Sequence, residues 1–471
     1  MDFTELYKHS NGLVSFSQGA HFILTAVHDR LIVRRADTFQ VSRSWQVDLT
    51  PSPSRVATST GSRRPSEPMS ITHIGWSSDS EYVLAACAKL GVAHVFCMRD
   101  EQWHASIEAG AEGLVKAEWA PDGRHVLCFS EWGLRVTVWS LLTGNATYIQ
   151  YPVHPDRGYA FRRDGRYFVL AERHKSKDTI GVYDAADSYK LVRHYPLPTT
   201  SMASIAISPS GNHVAVWEGP LEYKLCILSL TGELIGSFKP DPDPGLGIRC
   251  VAWHPSGMFI ALAGWDDRIH ILEHLTWSKV ATLNASTRVP ESVNFWREPS
   301  NWLEATEGRG FLSYERLNGT HSVPSTRPDP SKPHPKSGAV QLEFNKLGTT
   351  LMARFENMST AIHLFSFPAP GEAFTPHLRS VLVHSRPVLH TRWNPLRAGS
   401  LVATCGASAV YTWSDEWVGE GGEAEEMAEC IGVPAKNFEA RDVRWAPDGK
   451  GMVLLDKETF CCAFEVEESS M

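Results

Sequence analysis

The hydrophobic pattern of this chain repeats along its length. Nine times an apolar anchor residue precedes a short segment of turn-forming residues and then a run of alternating apolar residues. In the copy WAPDGRHVLCF, which begins at Trp119, Pro presets the turn, Asp bonds to the local backbone and Gly tolerates positive φ. Each copy therefore predicts a β-hairpin. The anchors are Phe16, Trp76, Trp119, Phe161, Ile207, Trp253, Phe344, Trp393 and Trp445.

A second β-rich run follows each hairpin at a regular distance. Its branched and aromatic residues predict a third strand for every repeat. These runs begin at Leu31, Ala93, Leu134, Thr179, Lys224, Arg268, Ala361, Ala409 and Phe460. Weaker fourth strands are predicted where the spacing leaves room, for example from Ala146 and from Leu234.

The spacing of the anchors predicts an all-β propeller. Successive anchors are 60, 43, 42, 46, 46, 91, 49 and 52 residues apart. A step in the low forties is the length of one four-stranded propeller blade. We expect one large ring of about nine blades, and the alternative is two unequal, partly open propellers. The 91-residue step contains SVNFWRE from Ser292 and FLSYERL from Phe311, each of which fits an extra strand pair or a decoration on one face.

The two ends of the sequence predict how the ring closes. The last repeat has a third strand but too little sequence after it for a fourth, whereas FTELYK precedes the first anchor as an unassigned strand. Pairing these two segments removes two open sheet edges at once. We therefore expect the N-terminal strand to complete the last blade, with Phe3 and Leu6 buried there.

The propeller is predicted to span residues 1–471 with three interruptions. Residues 50–69 form a Ser- and Pro-rich insert that is expected to be disordered, because it has too little apolar surface to bury. Residues 285–337 form a long insert with a Pro-rich end. Residues 415–430 are predicted to form an acidic loop with seven acidic residues and no basic one, which suits either a solvated surface or docking to a basic partner.

Composition narrows the possible functions. The chain has 471 residues, 16 Trp, nine Cys and a net charge of −8, which argues against nucleic-acid binding dominated by phosphate contacts. The cysteines are scattered without a C-x-x-C pair and are expected to be reduced, buried thiols of a cytosolic protein. No apolar stretch approaches the roughly 20 residues that span a bilayer.

A search for catalytic motifs gives no organised site. The sequence has no H-E-x-x-H and no Gly-x-Ser-x-Gly, and the six-residue spacing of His384 and His390 suits no metal site. We therefore expect no catalytic, cofactor-binding or metal-binding residues and no enzyme activity. An active site in the central channel is the enzymatic alternative, and converging His and carboxylate side chains would mark it.

Several stretches resemble a known family. Trp139-Ser140 and Trp413-Ser414 occupy the place of the dipeptide that names the WD-repeat proteins, although the upstream Gly-His is missing. EWGLRVTVWSL from Glu131 and LGIRCVAWHPSGMFIALAGWDDRIHILEHLTWSKV from Leu246 are more specific. Together they resemble the WD-repeat protein eight family of centrosomal and spindle-pole proteins, antisense to a tumour-protein gene, in a fungal member.

This resemblance implies a non-catalytic scaffold in the cytoplasm and cytoskeleton, at the centrosome or spindle pole body. The implied partners are a coiled-coil microtubule-anchoring protein, a minus-end-directed kinesin in fungi and, indirectly, γ-tubulin and other spindle-pole components. Neither nucleic acid nor membrane is implied. The implied task is to tether microtubule minus ends and organise the mitotic spindle. The three interruptions depart from the animal pattern, so contacts made through those loops are not carried over.

Candidate partner-binding residues are side chains of these family-like stretches that fall near predicted strand ends, where Trp and Arg often anchor an interface. They are Glu131, Trp132, Arg135, Glu172, Arg173, Leu221, Glu222, Tyr223, Lys224, Trp265, Asp266 and Trp277. The divergent blades are also similar to translation-factor propellers. The alternative function is therefore binding to the ribosome or RNA, which a basic surface on one face would support.

Overall fold

The computed structural model describes residues 1–49, 69–327, 329, 335–368, 371–418 and 424–465. Apart from Met69, the insert predicted at 50–69 lies outside these residues. The described chain is nearly all β and forms one ring of nine blades, as the spacing of the anchors predicts.

Blades 1 to 6 are four-stranded antiparallel sheets in which consecutive strands are neighbours. Blade 1 contains Val14–Phe16, Phe22–Val27, Arg30–Arg35 and Val41–Gln46, and blade 2 contains His73–Trp76, Tyr82–Cys87, Val92–Cys97 and His104–Glu108. Blade 3 contains Lys116–Trp119, His125–Phe129, Arg135–Ser140 and Ala146–Gln150, and blade 4 contains Tyr159–Phe161, Tyr167–His174, Lys177–Asp184 and Lys190–Pro196. Blade 5 contains Met202–Ile207, His213–Glu218, Leu225–Ser229 and Leu234–Phe238, and blade 6 contains Cys250–Trp253, Phe259–Ala263, Arg268–Glu273 and Lys279–Asn284.

Blades 7 to 9 are completed by strands from elsewhere in the chain. Blade 7 contains Ala339–Phe344, Thr350–Phe355, Ala361–Ser366 and His377–Val383, extended by Asn294–Arg297 and Glu315–Leu317. Blade 8 contains His390–Trp393, Ser400–Thr404, Ala409–Val418 and Ala424–Gly432, extended by Phe311–Ser313. Blade 9 contains Asp442–Trp445, Gly451–Leu455 and Thr459–Phe464. Arg288–Val289 and His321–Ser322 pair separately.

Helical structure is limited to short segments within the described ranges. One α-helix, α1, spans Trp302–Ala305. The 3-10 turns are Ala88–Leu90, Gly110–Glu112, Glu131–Gly133 and Ala185–Asp187.

The turn that begins each blade is built by local hydrogen bonds. In blade 3 the side-chain Oδ1 of Asp122 accepts hydrogen bonds from the backbone N–H groups of Arg124, at 2.9 Å, and His125, at 3.1 Å. Gly123 has φ +65° and lies so close to Ser78 of blade 2 that a Cβ would approach the serine Oγ to 2.7 Å. The Pro-Asp-Gly sequence therefore serves both the turn and the contact with the preceding blade.

The core consists of nine apolar clusters, one between each pair of neighbouring blades, including blades 9 and 1. The second strand of blade 2 shows how the pattern arises. Val83 and Ala85 pack toward blade 1, whereas Leu84 and Ala86 pack toward blade 3. Both faces of the strand are buried, which explains its continuous apolar sequence.

Four of the tryptophan anchors also hydrogen-bond to the preceding blade. Trp76 donates from Nε1 to Ser15 O, and Trp119 donates to Gly75 O, each at 3.1 Å. Trp393 donates to Glu343 O at 3.1 Å and Trp445 to Arg392 O at 3.2 Å. The anchors therefore satisfy a backbone carbonyl at the inner edge of the neighbouring sheet.

The N-terminal strand closes the ring, as predicted. Asp2–Phe3 and Tyr7–Lys8 both pair antiparallel with Thr459–Phe464. The Tyr7 ring lies 5.5 Å from Phe460 and 5.6 Å from Phe39 of blade 1. The prediction for Leu6 was wrong, since this side chain is exposed and Tyr7 provides the aromatic contact instead.

The long insert lies on the outer edges of two blades. Asn294–Arg297 pairs in parallel with the fourth strand of blade 7, and Phe311–Ser313 pairs with the fourth strand of blade 8. Between them, Glu298 is buried and its Oε1 accepts hydrogen bonds from Trp302 Nε1, at 2.8 Å, and the Tyr411 hydroxyl, at 2.9 Å. The insert is thus a strap that joins blades 7 and 8.

The prediction of an acidic loop at 415–430 does not fit the described residues. Most of this segment belongs to the third and fourth strands of blade 8, and only residues 419–423 lie outside the description. Glu426 is turned inward and its Oε2 accepts hydrogen bonds from Ser380 Oγ, at 2.7 Å, and Asn294 Nδ2, at 3.0 Å. The carboxylate of Glu426 therefore helps to hold the strap against blade 7.

A buried histidine should make folding stability depend on pH. His363 in blade 7 is fully buried, and burial lowers its pKa from 6.5 to about 4. The unfolded chain therefore binds more protons between these values, so stability is lost as the pH falls from 6.5 toward 4. We expect His363→Leu to reduce the loss of unfolding free energy between pH 7 and pH 5 by about 2 kcal/mol. Urea titrations at both pH values test this, and parallel losses in the two proteins would contradict it.

Candidate functional site

The antiparallel blades divide the loops between two faces. Since the first strands of neighbouring blades lie next to one another, every blade has the same orientation in the ring. The loops between second and third strands and the connections between blades therefore leave at one face, which we call the connector face. It includes residues 130–134, 175–176, 219–224 and 264–267. The opposite, turn face carries the anchor turns and the turns between third and fourth strands.

On the connector face, Trp132 projects from the second-to-third loop of blade 3. Its side chain is 91% exposed, although Trp132 has a φ of 59° that a bulky residue adopts unfavourably. Ser130 holds the base of the loop, because its Oγ bonds to both the O, at 2.9 Å, and the N–H, at 2.8 Å, of Arg135. Arg135 itself pairs with Glu112 at 3.1 Å. The loop thus presents a large apolar side chain to solvent from a fixed base.

Blade 4 contributes a long hairpin to this face, and the carboxylate of Glu172 lies inside it. Glu172 is buried and accepts hydrogen bonds from the Tyr183 hydroxyl and from His194, and burial raises the Glu172 pKa. Arg173 pairs with Asp178 at 2.7 Å. These two candidates shape the hairpin rather than forming its exposed tip at residues 175–176.

Leu221 is the second exposed apolar residue on this face. It is 92% exposed and lies in the second-to-third loop of blade 5. The Gly219 N–H donates to Ser201 O at 2.7 Å, and Lys224 Nζ donates to Pro198 O at 2.7 Å. These bonds tie both ends of the loop to the connection from blade 4, so Leu221 is held outward.

The other two candidates of the blade 5 loop differ from Leu221. Tyr223 is fully buried against blade 6, and burial raises its pKa. Glu222 is partly exposed and pairs with Lys239 at 3.4 Å.

Blade 6 places Trp265 and Asp266 on the same face. The Arg249 guanidinium lies 4.1 Å from the centre of the Trp265 ring and pairs with Glu356 of blade 7 at 2.8 Å. Asp266 is half-buried, and burial raises the pKa of its carboxyl group. These residues therefore help to join blades 6 and 7 at the connector face.

The structure brings eleven of the twelve sequence candidates to the connector face of blades 3 to 6, with Glu131 exposed beside Trp132. Trp277 is the exception, because it lies in the third-to-fourth turn of blade 6 on the turn face. It is buried and packs edge-to-face on Trp253, with the ring centres 5.8 Å apart. Its role is to pack blades 5 and 6 together.

Two exposed apolar residues beside Trp132 were missed by the sequence analysis. Leu134 and Tyr151 are both exposed, and the Tyr151 N–H donates to Leu134 O at 2.9 Å. The Tyr151 ring lies 5.3 Å from His174, which precedes the tip of the blade 4 hairpin. The available signal was a tyrosine near the end of the fourth strand predicted from Ala146.

No organised chemistry accompanies these side chains in the part of the chain that the structure describes. No group of three or more His, Cys, Asp or Glu residues there could hold a metal ion. Among the same residues, no helix has the length and apolar character needed to cross a membrane.

The geometry and the matching family model agree on the class of protein. The family model for the WD domain, G-beta repeat, matches residues 232–272, which cover the fourth strand of blade 5 and the first three strands of blade 6. The C-terminal WD40 domain of Sif2 is a similar solved structure, with 10% identity, 92% of this chain and 99% of that chain covered, and a TM-score of 0.48. The chain is a WD40 β-propeller, a scaffold fold that is usually non-catalytic.

Two relatives define the family more closely. The mouse WD repeat-containing protein WRAP73 is 30% identical, over 99% of this chain and 97% of the relative. An uncharacterized WD repeat-containing protein of Schizosaccharomyces pombe, C32H8.09, is 23% identical over 78% of this chain and 74% of its own length. The chain belongs to the WRAP73 family of WD-repeat proteins, and the family resemblance found in the sequence is thereby confirmed.

Proposed function

We propose that this protein is a scaffold at the spindle pole or centrosome that binds a coiled-coil anchoring protein and helps to tether microtubule minus ends. Membership of the WRAP73 family supports the proposal, together with the resemblance on which the expectation first rested. A minus-end-directed kinesin and γ-tubulin components would join through this complex. The broader role, a WD40 scaffold for protein interactions, follows from the fold and the family.

The observation that carries the proposal is the pair of exposed apolar residues on the connector face. Trp132 and Leu221 stand on different blades and are held outward by hydrogen-bonded loops. A coiled coil offers apolar and charged side chains along one helix surface, and such a surface suits widely spaced anchors on a rigid ring. Exposed Trp residues on preorganised supports are typical of interface hot spots.

Three arginine side chains on this face favour a protein partner over RNA. Arg135, Arg173 and Arg249 each pair with a carboxylate, at 3.1, 2.7 and 2.8 Å respectively. Paired guanidinium groups contribute less to phosphate binding than unpaired ones. Ribosome or RNA binding is therefore the less favoured function, and the experiment below separates it.

We expect the double variant Trp132→Ala, Leu221→Ala to lose at least tenfold in recovery of the coiled-coil partner. Removing an interface hot spot weakens binding by about 2 kcal/mol or more, whereas both side chains are too exposed to support the fold. The measurement is affinity purification with quantitative mass spectrometry, with thermal unfolding as a check on folding.

The matched control is Leu142→Ala, Leu275→Ala, which removes two exposed leucines from the turn face. It should leave recovery unchanged. Recovery of ribosomal subunits in place of coiled-coil proteins would contradict the proposal, as would an equal loss in both double variants.

A further inference from the structure

The cleft between blades 8 and 9 is open at the rim of the ring. Blade 8 has long third and fourth strands, Ala409–Val418 and Ala424–Gly432, whereas the outer strand of blade 9 consists of two-residue pieces from the N-terminus. The shorter sheet leaves part of the longer one uncovered. The resulting cavity has a volume of about 710 Å³, and we call it the rim groove.

The walls of the rim groove are aromatic. Trp413, Trp445 and Phe3 line it, and Phe311 and Trp417 remain 68% and 49% exposed beside it. Phe311 lies directly opposite Ile431 in the strand pairing, so their side chains share the face toward blade 9. An apolar surface of this kind, left open to water, is typical of an interaction site.

A bulge in blade 8 helps to form this surface. The pairing register shifts between Ser414 and Trp417, which changes the alternation of side chains along the strand. Both Glu416 and its neighbour Trp417 line the groove as a result. An aromatic side chain and a carboxylate are thus presented together.

The charge of the rim groove indicates the sign of the charge on its partner. Its described lining has three acidic side chains, Glu416, Glu429 and Glu465, and two positive groups, so its net charge is −1. Arg397 pairs with Glu465, and the α-amino group of Met1 acts electrostatically on Glu429. In the sequence, neither residues 415–430 nor residues 465–471 include a Lys or Arg. An apolar groove with a net negative charge is complementary to a partner segment in which apolar residues are flanked by positively charged ones.

We propose that the rim groove is a second docking site, which binds a basic segment of a partner protein that carries apolar side chains. The acidic C-terminal segment of this chain is a poor occupant, because its charge has the same sign as that of the groove. The site lies at the rim between blades 8 and 9, away from Trp132 and Leu221. It therefore stands independently of the spindle-pole proposal.

The test uses the full chain and two labelled synthetic peptides, one of alternating leucine and lysine and one of alternating leucine and glutamate. Fluorescence anisotropy near 0.15 M salt should show saturable binding of the lysine peptide and none of the glutamate peptide. Trp417→Ala and Phe311→Ala should each weaken binding at least fivefold. Leu347→Ala, which removes an exposed leucine from the turn face of blade 7, should not.

Absence of binding, equal binding of both peptides, or unchanged binding in the groove variants would overturn the proposal. Sedimentation velocity of the unlabelled chain adds a further outcome. Self-association that Trp417→Ala abolishes would identify a second copy as the occupant and would also overturn it. None of these results would affect recovery of a partner through the connector face.

Discussion

Deletion of residues 1–9 is expected to lower the free energy of unfolding by more than about 5 kcal/mol. The segment supplies backbone hydrogen bonds from Thr4 N to Cys462 O, at 3.0 Å, and from His9 N to Glu458 O, at 2.8 Å, besides two short ladders. The deletion also removes the contacts of the Tyr7 ring with Phe460 and Phe39. The deletion leaves the last strand of blade 9 as an open edge.

Denaturant unfolding and thermal melting measure this loss, and deletion of residues 52–66 is the matched control. That segment has few apolar residues to bury, so its removal should change stability by less than about 0.5 kcal/mol. A point variant refines the test, because Tyr7→Ala should destabilise the protein far more than Leu6→Ala, whose side chain is exposed. Equal melting temperatures for the two deletions would contradict the closure.

The second large effect is expected for Glu298→Ala, at about 3–5 kcal/mol of stability. The substitution leaves two buried donors, Trp302 Nε1 and the Tyr411 hydroxyl, without their acceptor. It also removes the acceptor of the N–H of Ser385, an exposed residue, which lies 2.5 Å from Oε2. A buried polar group that loses its partner costs more than the net value of the bond. Because Trp302 belongs to the strap and Tyr411 to blade 8, the strap should loosen first.

Hydrogen exchange locates the effect. Amides of Asn294–Arg297 and Phe311–Ser313 should exchange faster in Glu298→Ala, whereas those of blades 2 and 3 should be unchanged. Glu298→Gln is the matched control, because its amide oxygen retains one acceptor for Trp302 and Tyr411. A loss in Glu298→Gln as large as that in Glu298→Ala would show that the hydrogen bonds to Trp302 and Tyr411 do not supply this stability.

The repeats were predictable because their determinants are local. Turn residues and apolar strands lie within a dozen positions of each other, so Asp122 and Gly123 could be assigned to a turn from the sequence alone. The ring closure was predictable for another reason. The last repeat lacks a fourth strand, and the N-terminal strand belongs to no repeat. Pairing the two completes the last blade.

Extra strands after Ser292 and Phe311 fitted the sequence, but the partners of these strands were not predictable, because both pairings are distant in sequence and one of them is parallel. Asn294–Arg297 lies beside His377–Val383, and no turn sequence links the two segments. The burial of individual candidate side chains was not predictable from the sequence either. Leu221 and Tyr223 belong to one loop, yet one is exposed and the other is buried against blade 6. Only the neighbouring blade decides which of them meets solvent.

The shared last blade also has a consequence for biosynthesis. Residues 2–8 leave the ribosome before any blade is complete, whereas their partner strand, Thr459–Phe464, emerges after all the others. Residues 2–8 therefore stay unpaired throughout translation. The incomplete ring has an open sheet edge at each end until Thr459–Phe464 is synthesised. Nascent chains of this protein should depend on chaperones late in synthesis, and a ribosome stalled before that strand should hold an unclosed arc.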